Sequence, residues 1–125
     1  MDLIPEKYRY DLEIIRETAE QIIRDFNIKG FEIIFSGKTH NAFEEFKAQI
    51  IPVIGRLFNT DRISFQSLLY RIDISEKDYK KVLSRINSKK FEEELSELII
   101  RREFLKVITR KHFSDNNGTT SEQGY

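Results

Sequence analysis

The sequence predicts an all-α fold: about five helices in a bundle-like single domain, with one short extended segment near residues 31–36. Three observations lead there. Apolar residues recur at spacings of three and four through most of the chain, the period of one helix face. Gly and Pro are scarce, five and two in 125 residues, fewer than a fold of many short strands would need for its turns. Charged residues reach 34% beside 39% apolar ones, the mix expected of helices with one apolar stripe and a charged outer face.

The first helix is expected from about Pro5 to Phe26. Pro5 suits the first helical position, where its missing N–H leaves nothing unpaired. Leu12, Ile15, Ala19, Ile22 and Phe26 share a face, Ile14 and Ile23 widen it, and Asn27 to Gly30 end the helix. Phe31 to Ser36 then alternates like a strand: Phe31, Ile33 and Phe35 face one way, Glu32, Ile34 and Ser36 the other. No second strand is legible. The segment is therefore a buried extended linker, a short piece of helix, or half of a ribbon made with another molecule, since buried backbone groups need partners.

The second helix begins after Asn41, which stands at capping-box spacing from Glu44. Its stripe holds Phe43, Phe46, Ile50, Val53 or Ile54, and Leu57; Pro52 should kink it near Ala48 to Ile51. Asn59 to Asp61 mark a break, and Phe65, Leu68, Leu69 and Ile72 describe a shorter third helix. In "DISEKDY", Ser75 and Asp78 have cap spacing, and Ile74 and Tyr79 occupy the positions of a hydrophobic staple. The fourth helix follows, with Tyr79, Val82, Leu83 and Ile86 inward. Ser88 is the expected cap of the last helix, about Lys89 to Phe113, whose stripe is Phe91, Leu95, Leu98, Ile99, Leu105 and Ile108. Residues 1–113 form the helical domain, and residues 114–125, "SDNNGTTSEQGY", read as a disordered tail.

At "LLYRIDISE" and "LIIRREFLKVITRKHF" the chain resembles small helical proteins of Bacteroidota type, over roughly Phe43 to Phe113. The resemblance implies a helical, cytoplasmic protein and brings no activity, cofactor or site residue with it.

The chemistry legible in the chain is mostly exclusion. "FEIIFSGKTH" has the order of a phosphate-binding loop, strand then Gly-Lys-Thr then helix. The first glycine of that pattern would fall at Glu32, an anion where phosphate should sit. A turn is the better reading of Gly37, Lys38 and Thr39. His40 and Glu44 are four apart, yet two ligands do not make a metal site. With no Cys there is no disulfide, thiolate nucleophile or zinc knuckle. The Arg-to-His spacing of HEPN ribonucleases is absent at both His40 and His112. No cofactor is called for, no stretch is apolar enough for a signal peptide or membrane span, and the cytoplasm is the default setting.

Two candidate surfaces remain. Phe31, Ile33 and Phe35 could add to the strand of a protein partner or of a second copy. Arg101, Arg102, Lys106, Arg110 and Lys111, five cations against Glu103, could track phosphates, with Arg102, Lys106 and Arg110 each four apart on one face. The same helix opens with Glu92, Glu93, Glu94 and Glu97, so the macrodipole alone explains the distribution, and helix electrostatics is favoured. Overall charge cancels at 21 against 21, without the basic excess of most nucleic-acid binders. Arg102 also falls inside the apolar stripe, where it either reaches out to solvent along the stripe edge or meets a carboxylate, Asp73 or Asp61. The sequence thus favours a non-enzymatic helical interaction or regulatory module. The alternative is a nucleic-acid-associated protein using the basic end of the last helix.

Overall fold

The computed structural model describes residues 6–86 and 90–116. One helical turn, Glu6–Arg9, precedes five helices: α1 (Leu12–Ile28), α2 (Ala42–Thr60), α3 (Arg62–Ile72), α4 (Glu76–Leu83) and α5 (Phe91–Asn116). The chain is all-α, and no strand occurs among the described residues. No described helix is long and apolar enough to cross a membrane.

The expected first helix is divided at Asp11. Its carboxylate accepts from the N–H groups of Glu13 and Ile14, so α1 starts at Leu12 and not near Pro5, which lies outside the described residues. At the other end the N–H of Phe31 reaches the carbonyl of Phe26 and that of Gly30 reaches Asn27, with Gly30 at φ +88°. This is the Schellman arrangement, and it needs a residue at ease with positive φ.

α2 follows a 3-10 turn, Thr39–Asn41. Asn41 makes no side-chain cap, so the expected capping box with Glu44 is not formed. Pro52 sits inside a helix that runs unbroken to Thr60, so the expected break at Asn59 to Asp61 shrinks to Asp61. Asp61 caps α3 through the N–H and hydroxyl of Ser64. Ser75 caps α4 through the N–H of Asp78, as its spacing implied, and Ile74 and Tyr79 both pack on the core. Ile86, expected inward, lies past the end of α4 and is 38% exposed. Ser88 lies outside the described residues. α5 continues past Phe113 to Asn116, so the tail expected from residue 114 is helical at its start, and residues 117–125 lie outside the described residues.

α5 is the central element. α1 to α4 all pack on it. It therefore buries residues well beyond the single stripe expected: Phe91, Leu95, Leu98, Ile99 and Ile108, but also Ile100, Phe104 and Val107, while Leu105 is only partly buried. The abundant Phe side chains join the layers. Phe43 of α2 meets Phe104 of α5 at 5.4 Å, Phe58 of α2 meets Phe91 of α5 at 4.9 Å and Phe65 of α3 at 5.3 Å, and Phe65 meets Tyr79 of α4 at 6.0 Å. Such tilted and edge-on ring pairs add to the area they bury.

Residues 31–36 are extended but not paired with a strand. Side chains of α2 take the place of a neighbouring strand. Gln49 accepts from the N–H of Ile34 at 2.9 Å and donates to its carbonyl at 2.8 Å, and Glu45 accepts from the N–H and hydroxyl of Ser36, both at 2.9 Å. Ile33 is buried, and Phe31 and Phe35 pack against the core, Phe35 with its ring 5.4 Å from that of Phe46. Gln49→Ala is expected to release the Ile34 amide to rapid hydrogen exchange. The global loss should be only about 1 kcal/mol, because two solvent-accessible hydrogen bonds are exchanged for water. Amide exchange read residue by residue, beside a denaturant melt, checks both halves.

Candidate functional site

The docking face read from the sequence is turned inward. Phe31, Ile33 and Phe35 contact the chain's own core, and the backbone of Ile34 is already paired with Gln49. Ile34 points out, 60% exposed.

The basic stripe is mostly neutralised within the chain. Arg102 donates to the carbonyl of Asp73 at 2.9 Å and to its carboxylate at 2.5 Å. Asp73 ends α3 with φ 72° and is largely exposed, so this is the Asp73 pairing of the two foreseen, but not a buried one. Arg110 donates to Gln21 at 3.1 Å. Lys111 is 2.7 Å from Glu13 and 3.9 Å from Glu17, and its ammonium pKa is raised, chiefly by the hydrogen bond to Glu13. Lys106 turns into the protein. Of the five cations, Arg101 alone has no hydrogen bond or ion pair among the described residues.

Lys106 leads to the most unusual feature of the molecule, a buried ion cluster where α1, α3 and α5 meet. Asp25 is 1% exposed and Glu103 is fully buried. The Lys106 ammonium lies 3.0 Å from Asp25 Oδ2 and 2.5 Å from Glu103 Oε1. Arg71 of α3 donates from Nε to Asp25 Oδ1 at 3.0 Å, and the Gln21 amide donates to both Asp25 oxygens, at 3.2 and 3.1 Å. Arg110 and Arg24 hold the Gln21 carbonyl oxygen. Neither Glu103 oxygen makes a hydrogen bond among the described residues.

The two carboxyl groups are driven apart in acidity. Burial pushes Asp25 up, but the neighbouring Glu103 carboxyl and hydrogen bonds from Lys106 and Gln21 outweigh it and hold Asp25 below the usual carboxylate range. Burial pushes Glu103 up to about 8, helped by the neighbouring Asp25 carboxylate and opposed by Lys106. Asp25 is the anion and Glu103 the neutral acid beside it. This is the usual outcome when two carboxyls share a site.

Above the cluster, Arg102, Lys106, Thr109, Arg110 and Phe113 line an open concavity of about 350 Å³. A second, distinct surface is the outer face of α3, where Ile63 and Tyr70, two helical turns apart, are 83% and 88% exposed. The end of α1 is tied beside this helix by Lys29, whose ammonium donates to Ser67 at 2.6 Å.

Sequence reasoning missed Asp25, Gln21, Glu103 and the Ile63–Tyr70 face. The signal for the first three was present. Ile14, Thr18, Gln21 and Asp25 follow one helical line, so a polar column continues an apolar one. No protein-family model, curated protein or solved structure matches the chain.

Proposed function

We propose that the chain is a small helical interaction or regulatory module that works through a protein partner or a second copy of itself, in the cytoplasm, and carries out no catalysis. The supporting observation is the outer face of α3. An Ile and a Tyr more than four-fifths exposed, seven residues apart, present apolar surface that the fold itself does not use. Grouped exposed apolar side chains of this size mark interaction surfaces more often than isolated ones do. Tyr suits such a face because it combines a large ring with a polar tip. The dock moves from the Phe31–Phe35 segment to α3, because the former covers the chain's own core.

The test is the double variant Ile63→Lys, Tyr70→Lys. Both side chains are in water, so folding stability should change by no more than about 0.5 kcal/mol. The wild-type chain should either show a multiple of the monomer mass by light scattering or cross-link to a discrete protein in cells, and the variant should lose that association. Identical mass and identical cross-links for the two chains would sink the reading.

A further inference from the structure

We propose that the junction of α1, α3 and α5 is a proton-operated clasp: Glu103 is seated there as a neutral acid, buried with the Asp25 carboxylate around the one Lys106 ammonium, and departure of its proton to solvent loosens the junction. The inference rests on the geometry of the cluster and is independent of the docking face on α3.

Few charged groups meet at the junction among the described residues. α1 contributes Asp25, with Gln21 and Arg24 beside it; α3 contributes Arg71; α5 contributes Glu103, Lys106 and Arg110. No ionisable group of α2 or α4 is paired with any of these among the described residues. Arg71 and Lys106 both bind the Asp25 anion. With Glu103 neutral, Asp25 is the single anion of the cluster, and both its oxygens are held by Gln21, Arg71 and Lys106. With Glu103 ionised, a second anion stands against Asp25 in a fully buried position, both drawing on the one Lys106 ammonium. Neither of its oxygens gains an aligned donor. An anion so placed is costly unless it is solvated, and the readiest relief is for the helices to part and admit water. The Lys106 side chain is 20% exposed and lines the concavity, and Arg71 on Asp25 is 41% exposed, so the cluster borders solvent and a proton has a way out.

The direction with pH follows from linkage. Glu103 has an unfolded-state value of 4.5 and sits at about 8 when folded. Its contribution to stability is whole below about pH 4.5, declines as pH rises, and is gone above about 8. Within that window the folding equilibrium constant falls by up to about tenfold per pH unit. Asp25 works in the opposite sense, since its lowered value lends stability above 3.8 that is lost as pH falls further.

The experiment uses the full chain in two forms, wild type and Glu103→Gln. Gln is uncharged at every pH and close in shape to the neutral acid. Urea unfolding from about pH 5 to about pH 9 should show the wild type losing stability up to about tenfold per unit, and the variant nearly flat. Side-chain carboxyl carbon NMR on the wild type should show Glu103 titrating well above ordinary glutamate. Backbone amides around residues 21–25, 71 and 103–110 should shift at the same pH. Equal pH slopes for the two proteins, an ordinary Glu103 titration, or a Glu103 titration that leaves the junction amides unmoved would each overturn the clasp. If Glu103→Gln does not fold, the wild-type NMR titration decides alone.

Discussion

Asp25→Ala is expected to lower stability by about 3 kcal/mol at neutral pH, a large share of what a domain of this size possesses. The carboxylate receives Lys106, Arg71 and two bonds from Gln21 while only 1% exposed. Removing one partner of a buried ion pair costs about 3–5 kcal/mol, because the other charge is left unpaired. The lower end applies here. The Arg71 side chain is 41% exposed and that of Lys106 is 20% exposed, so both can turn partly to water. The variant also removes the carboxylate beside Glu103. Glu103 should then titrate closer to its ordinary value, since the neighbouring Asp25 raises it. Urea unfolding of the variant gives the first quantity and carboxyl NMR the second. A loss under about 1 kcal/mol would mean that solvent, not the cluster, satisfies Lys106 and Arg71.

How much of this was legible beforehand depended on where each helix sits. α3 has one side against the bundle, and its four inward residues, Phe65, Leu68, Leu69 and Ile72, were read directly from spacing. Ser75 was legible because a cap is a local matter of a hydroxyl and an N–H three residues on. α5 was not, because neighbours surround it and its apolar residues lie on several faces. A single-stripe reading finds Phe91, Leu95 and Ile99 and passes over Phe104 and Val107. The extended segment posed a question about its partner that spacing alone could not answer. The partner is the side-chain amide of Gln49, which offers the same donor and acceptor as a peptide group. The ion cluster needed tertiary information, since Asp25 and Lys106 are 81 positions apart. Each helix showed half of it. Gln21 and Asp25 lie four apart on α1, and Glu103 and Lys106 three apart on α5. From the sequence Glu103 counted only as one acid among five cations.

That difference changes how the basic stripe can be tested. Reversing Lys106 to Glu would be the natural probe of phosphate contacts, but the structure expects it to disrupt the fold, by more than Asp25→Ala. The change removes the ammonium shared by Asp25 and Glu103 and puts a third carboxyl in its place, with Arg71 the remaining cation on Asp25. Loss of the pair and crowding of like charge act in the same direction, so a cost above about 3–5 kcal/mol is expected. Arg101→Glu is the contrasting change. Arg101 is partly exposed, lies beside Asp78, Glu94 and Glu97 in an open groove, and has no hydrogen bond or ion pair to lose among the described residues. It should cost no more than about 1 kcal/mol. Thermal unfolding followed by circular dichroism separates the two. If Lys106→Glu melts like the wild type, the cluster does not hold α1 to α5. If it unfolds while Arg101→Glu melts normally, loss of binding in Lys106→Glu reports on folding, and a phosphate-contacting role for this helix has to be sought at Arg101.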